Sequence, residues 1–184
     1  MSKNRGSDQG RPAMASGSGS SSSRSAAGRL VKELDIWGKE APTEVGIERL
    51  GPASDEELLR WEAVINGRGI GGGYDEGRWL LAIDIPPTYP HAPPKMWFRT
   101  EVVHANVGLR DGEICMDLLK EAWTPAYSVL QCVREVRLLL AYPAVDSPLN
   151  VDVAALLRQG DATAARRLVE YWCAEHERGR YDGP

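Results

Sequence analysis

The stretch Gly112-Glu113-Ile114-Cys115-Met116-Asp117 sets a thiol just after a glycine turn and ahead of an apolar run. The chain holds only three cysteines, and their settings differ. Cys132 falls on the apolar stripe of a predicted helix, where cysteine behaves as a small hydrophobe. Cys173 falls on a final predicted helix and reads as structural. Cys115 follows the turn signal Asp111-Gly112 and precedes no periodic element until Ser128. A thiol on such an accessible segment is a candidate nucleophile, with an incidental loop cysteine as the alternative.

The neighbours of Cys115 narrow the chemistry. A cysteine–histidine hydrolase needs a base within reach. His104 is the candidate nearby in sequence, and it equally fits a histidine that structures its own loop. A phosphatase cradle is disfavoured, because Lys120 is the fifth residue after Cys115 and no arginine follows before Arg134. Zinc is disfavoured too, since Cys173 and His176 have no second pair to complete a tetrahedron. A thiol with no evident base suits an incoming acyl group that is already activated, as in exchange between thioesters.

The elements that must position this loop can be read from periodicity. Leu30, Leu34 and Trp37 mark a helix beginning near Ser25, with Lys32, Glu33 and Asp35 off the stripe and Gly38 then Pro42 at its end. Four strand-like runs follow: Gly46–Leu50, Leu58–Asn66, Arg78–Ile85 and Lys95–Arg99. In the second, Leu59, Trp61, Ala63 and Ile65 alternate with Arg60, Glu62 and Val64. Their short links favour an antiparallel meander. The run Ile85–Lys95 has five prolines in eleven residues, which forbids helix and sheet pairing and predicts a rigid loop, with Pro93-Pro94 as a candidate cis bond. Helices are predicted from a Ser128 cap to Pro143, from Val151 to Gln159 with Gly160 closing, and through the final Leu168, Tyr171, Trp172 and Glu175 ridge. A helix, then strands, then helices is an α+β order, with helices on one face of a four-stranded antiparallel sheet.

With 184 residues and 42% hydrophobic content, one packed domain is expected. The divisions are a disordered Ser/Gly-rich tail over 1–25, a domain over 26–179 and a short C-terminal tail over 180–184. No apolar run reaches the ~18 residues of a membrane span, and no signal-peptide core opens the chain. An odd cysteine count at wide spacing fits a reducing compartment such as the cytosol rather than a disulfide framework. The net charge is −4; Lys3, Arg5, Arg11 and Arg24 against Asp8 give the first 28 residues a surplus of +3, leaving −7 on the remainder. A nucleic-acid protein carries its positive charge on the folded domain, so no nucleic-acid partner is expected.

These residues also carry a resemblance. From Arg29 to Glu177 the chain resembles the ubiquitin-conjugating enzymes. Arg29–Leu34 is similar to the start of the family's first helix, and Tyr74–Lys95 to its third strand and proline loop. His104–Val107 with Gly112–Leu119 is similar to its His-Pro-Asn stretch and active cysteine, and Trp123–Val133 to the loop entering its central helix. The resemblance implies that Cys115 accepts ubiquitin as a thioester from an activating enzyme and passes it to an amine. No cofactor or metal is implied, because ATP is consumed by the activating enzyme. Asn106 would offer its amide to the oxyanion or hold the loop that does, and Asp117 and Ser147 would border the incoming amine, with Asp146 a rival. Arg29, Lys32, His91, Pro125 and Ala126 would face RING-type ubiquitin ligases.

Three departures stand out: Ala105 in place of the usual proline, a nine-residue step from Asn106 to Cys115 that is one longer than common, and Ser147 where aspartate is frequent. Leu118–Val129, Asp146–Asp161 and the ending after Arg166–Arg178 resemble the fungal peroxisomal (peroxin) members. That implies the peroxisomal import receptor as substrate, a membrane-anchored peroxin partner, and a place on the cytosolic face of the peroxisomal membrane. A non-catalytic ubiquitin-binding scaffold of the same fold, or conjugation of another ubiquitin-like modifier, are the competing expectations.

Overall fold

A computed structural model describes residues 19–174 and 178–184. The chain runs α1 (Gly19–Glu40), β1 (Ile47–Pro52), β2 (Arg60–Asn66), β3 (Arg78–Asp84), β4 (Lys95–Phe98), α2 (Val129–Ala141), α3 (Val151–Arg158) and α4 (Ala162–Ala174). The strands form one sheet in the order β1-β2-β3-β4, each pair antiparallel. This is the α+β meander that the alternating pattern predicts. The alternation fixes the register: Trp61 pairs with Ile83, Ala63 with Leu81 and Ile65 with Trp79, all on the buried face. They share one core with Leu30 of α1, with Val129, Cys132, Val133 and Val136 of α2, and with Val169 and Cys173 of α4.

The start of α2 and both ends of α3 are chemically specified. Ser128 caps α2 in a reciprocal box with Gln131. Asn150 caps α3 by accepting from the Val153 N–H. Gly160 closes α3 at φ +74°, its N–H bonded to the Leu157 carbonyl while Asp161 N–H reaches Leu156.

The structure corrects several expectations. Helix α1 starts at Gly19, not near Ser25, because residues added to an existing helix escape the cost of nucleation. It passes through Gly38 and stops where Pro42 enters a single 3-10 turn at Ala41–Thr43. The cis bond is Tyr89–Pro90, not Pro93–Pro94. In α4 the buried stripe is Ala165, Val169 and Cys173, while Tyr171 is exposed. Residues 1–18 of the expected tail, and Glu175 of the expected ridge, lie outside the described residues.

The last residues are tied down. Tyr181 N–H donates to the Arg78 carbonyl (2.7 Å), and Arg78 Nη1 donates to the Tyr181 and Gly183 carbonyls (2.8 and 2.7 Å). Among the described residues, no helix is long and apolar enough to cross a membrane.

Candidate active site

Cys115 closes a small hairpin. Val107 pairs with Ile114, Gly108 N–H donates to Glu113 O (2.9 Å), and Cys115 N–H donates to Asn106 O (2.9 Å). The turn works because Gly112 sits at φ +68°, and a Cβ there would run into the Phe98 carbonyl. Asn106 and Cys115 are therefore direct neighbours across the hairpin, and the nine-residue step is taken up in its turn. The thiol is free and half-buried.

Asn106 is fully buried and bonded on every side. Its Nδ2 donates to the carbonyls of Ala144 (2.7 Å) and Ser147 (3.3 Å), and its Oδ1 accepts from Ala144 N–H (2.8 Å). Its main chain holds the cysteine, and its side chain holds the 144–147 segment. Ala105 is equally fixed without proline's ring, since it is buried and its carbonyl accepts from Leu149 and Asn150 N–H. Ser147 and Asp146 are exposed on the segment Asn106 grips, and Asp117 is exposed on the single 3-10 turn Asp117–Leu119 beyond the cysteine.

His104 is not placed to act as a base. It is 1% exposed, and its Nδ1 accepts from Asn106 N–H (3.1 Å). Burial pushes its pKa down to about 4, so the ring stays neutral at physiological pH. Cys132 and Cys173 are buried and their thiols are pushed up to about 12 and about 11, chiefly by burial. Neither is a competing nucleophile.

A second face lies between α1 and the loops before β4 and α2. Lys32, His91, Pro125 and Ala126 are exposed there. Arg29 is spent on structure: it donates to Glu33 (2.6 Å), to Tyr127 O (2.9 Å) and to Pro125 O (3.3 Å). A groove of about 430 Å³ is lined by Arg29, Lys32, Ile36, Ala126, Leu130 and Gln131. Trp123 Nε1 donates to Pro90 O (2.9 Å), joining the proline loop to the loop before α2.

Glu33 was expected off the apolar stripe, and it is 5% exposed. The signal was present: Glu33 stands three residues after buried Leu30 and four after Arg29, on the same helical face.

The family model described as ubiquitin-conjugating enzyme matches residues 29–172. The chain is 65% identical over 162 residues to ubiquitin-conjugating enzyme E2 PEX4 of Gibberella zeae, covering 88% of this chain and 94% of that one. It is 35% identical over 144 residues to protein PEROXIN-4 of Arabidopsis thaliana, covering 78% and 90%. Among solved structures it resembles the H. polymorpha ubiquitin-conjugating enzyme Pex4p, crystallised with the soluble domain of Pex22p, at a TM-score of 0.76 and 35% identity, covering 84% and 98%. A thiol on a glycine-pinned hairpin, an asparagine locked behind it and a match over most of the chain converge: this protein belongs to the ubiquitin-conjugating enzyme family.

Proposed function

We propose that Cys115 carries ubiquitin as a thioester and delivers it to a peroxisomal substrate, the import receptor being the expected one. In loading, the Cys115 thiolate attacks the carbonyl of ubiquitin's C-terminus on the activating enzyme and displaces that enzyme's thiolate. In transfer, a lysine amine attacks the same carbonyl. The new C–N bond replaces the C–S bond, Cys115 leaves as thiolate, and the amine loses one proton. A thioester is a good acyl donor, so positioning carries much of the rate.

Asn106 acts through the segment it holds, since its amide hydrogens already face the Ala144 and Ser147 carbonyls. Asp117, Ser147 and Asp146 flank the approach of the amine. There, desolvation lowers an amine's pKa and a carboxylate orients it. The observation that carries the catalytic reading is the Cys115–Asn106 closure (2.9 Å), which sets an accessible thiol against a fully bonded backing. A non-catalytic scaffold would need neither.

The peroxisomal part rests on likeness to the Gibberella and Arabidopsis proteins. A membrane-anchored partner would bring the enzyme to the cytosolic face of the peroxisome, by analogy with the H. polymorpha protein bound to Pex22p. RING-type ligases would dock on the Arg29, Lys32, His91, Pro125 and Ala126 face.

The test is charging with ubiquitin, activating enzyme and ATP, read on a non-reducing gel. A thiol-sensitive adduct is expected, lost in Cys115→Ala and thiol-resistant in Cys115→Ser. No adduct, with an activating enzyme that charges a control, would reject the reading; an adduct only with another modifier would reassign it. For the peroxisomal part, normal matrix import in cells lacking the chain would remove the assignment.

A further inference from the structure

The buried carboxylate of Glu33 has no part in the chemistry at Cys115, yet two other segments converge on it beside a donor from its own helix. Arg29 Nε donates to Oε1 at 2.6 Å, the Tyr89 hydroxyl donates to Oε1 at 2.6 Å, and the Val129 N–H donates to Oε2 at 2.8 Å. Tyr89 belongs to the proline loop, and Val129 opens α2 with one of the N–H groups that a helix cannot satisfy internally. Arg29 carries the connection onward to the Pro125 and Tyr127 carbonyls. Rings bridge the same segments, with Tyr89 and Trp123 centroids 6.0 Å apart and Trp123 and Tyr127 6.1 Å apart.

We infer that Glu33 is a positioning residue for ligase-dependent transfer: its carboxylate sets where the 85–95 loop, the 123–128 loop and the start of α2 stand relative to α1. This deepens, and rests on, the reading of that face as the ligase-binding face. A buried ion is weak evidence for stability as such, because an apolar replacement of the whole group is often neutral. What an apolar side chain cannot do is bind three donors, two of them from other segments, in one geometry. Glutamine cannot do it either. It has one acceptor oxygen, so its NH₂ must face either Val129 N–H or the Arg29 and Tyr89 donors.

The experiment compares wild type, Glu33→Gln and Tyr89→Phe in the full chain. Amide hydrogen exchange is read on the free protein. Discharge of purified ubiquitin thioester to free lysine is then read with and without a RING-domain ligase that accelerates the wild type. Glu33→Gln is expected to speed exchange across 85–95 and 123–129 while leaving 102–115 unchanged. It should raise the ligase concentration for half-maximal discharge about tenfold, with unstimulated discharge within about twofold.

Tyr89→Phe removes one hydroxyl and should give about a threefold effect, with faster exchange confined to 85–95. It carries the test should Glu33→Gln fail to fold. Unchanged exchange would overturn the inference, as would unstimulated discharge falling as far as ligase-stimulated discharge. A wild-type chain that never charges would instead overturn the proposed activity, while the exchange prediction would still be decided.

Discussion

Two buried polar residues anchor the two ends of the segment from Cys115 to Val129, and they do it differently. Asn106 is neutral; its main-chain oxygen takes the Cys115 N–H, and its amide is matched to one N–H and two carbonyls of the 144–147 segment. Glu33 is a carboxylate. It takes the Val129 N–H and two side-chain donors, and it accepts only. The neutral hub sits behind the thiol proposed to react and adds no formal charge where an oxyanion would develop. The charged hub sits behind the proposed docking face, where a carboxylate at a helix N-terminus is favourable. One connection is thus held by a charge-free clasp at its Cys115 end and an ionic clasp at its Val129 end.

The largest expected effect comes from breaking the neutral clasp. In Asn106→Ala the Ala144 and Ser147 groups lose their partner and the 144–147 segment loosens. Discharge to free lysine should fall about a hundredfold, in the range of lost positioning. Asn106→Asp should also lose stability, by about 3 kcal/mol or more, because a buried carboxylate would face the Ala144 and Ser147 carbonyls. Thermal melting beside discharge rates separates the two. An Asn106→Ala enzyme discharging at the wild-type rate would show that the clasp is architecture alone.

Gly112 tests the same clasp through the backbone. At φ +68°, and with the Phe98 carbonyl in the way of a Cβ, Gly112→Ala should open the hairpin that carries Cys115. A loss of about 2–3 kcal/mol, read as a shift in urea midpoint, is expected from strain at a positive φ plus the steric conflict. Charging should slow with it, whereas the same substitution at Gly38, where nothing crowds a Cβ, should not destabilise.

How much of this was legible in the sequence follows from the range of the interactions. The buried face of β2 followed from the Trp61, Ala63 and Ile65 alternation, and α2 followed from Ser128 and its apolar spacing, since both signals are local. Cys115 stood out as a thiol with no structural reason to be there. Asn106's role was only half visible, because its side-chain partners lie 38 and 41 residues away. Glu33 was missed because a carboxylate on an apolar face breaks the periodicity rule that found the helix. The structural bonds of the Arg29 guanidinium were hidden because its carbonyl partners are 96 and 98 residues distant. Alanine at 105 lacks the proline ring usual there, but packing and two N–H donors fix it from outside the residue.

A pH experiment sharpens the contrast between the hubs. His104 lends its Nδ1 to the Asn106 N–H, and burial lowers its pKa from 6.5 to about 4. The folded state therefore binds fewer protons than the unfolded chain between those values. The stabilising contribution is fully present above pH 6.5 and is lost as pH falls toward 4. It amounts to up to about 3 kcal/mol at 1.4 kcal/mol per pH unit. Urea midpoints across that window should fall in the wild type and fall less steeply in His104→Gln. Equal slopes would place the proton uptake elsewhere.

The smallest effect concerns exposed charge beside the buried one. Arg134 Nη2 reaches Glu40 and Glu44 at 2.7 Å each, joining α2 to the end of α1 near the Glu33 hub. The arginine and Glu40 are about two-fifths exposed (42% and 43%) and Glu44 less so (16%), so water and salt reach the arginine and screen its pairs. Arg134→Gln should cost no more than ~1 kcal/mol, and raising the salt should erase most of the difference. Tyr89→Phe, a smaller change in atoms, should cost as much or more and stay indifferent to salt, because its hydroxyl meets Glu33 away from water. If both variants lost stability equally and with the same salt dependence, burial would not be what separates the Glu33 clasp from an ordinary surface ion pair. The positioning assigned to Glu33 would then have no physical basis distinct from the many arginine–glutamate pairs around it.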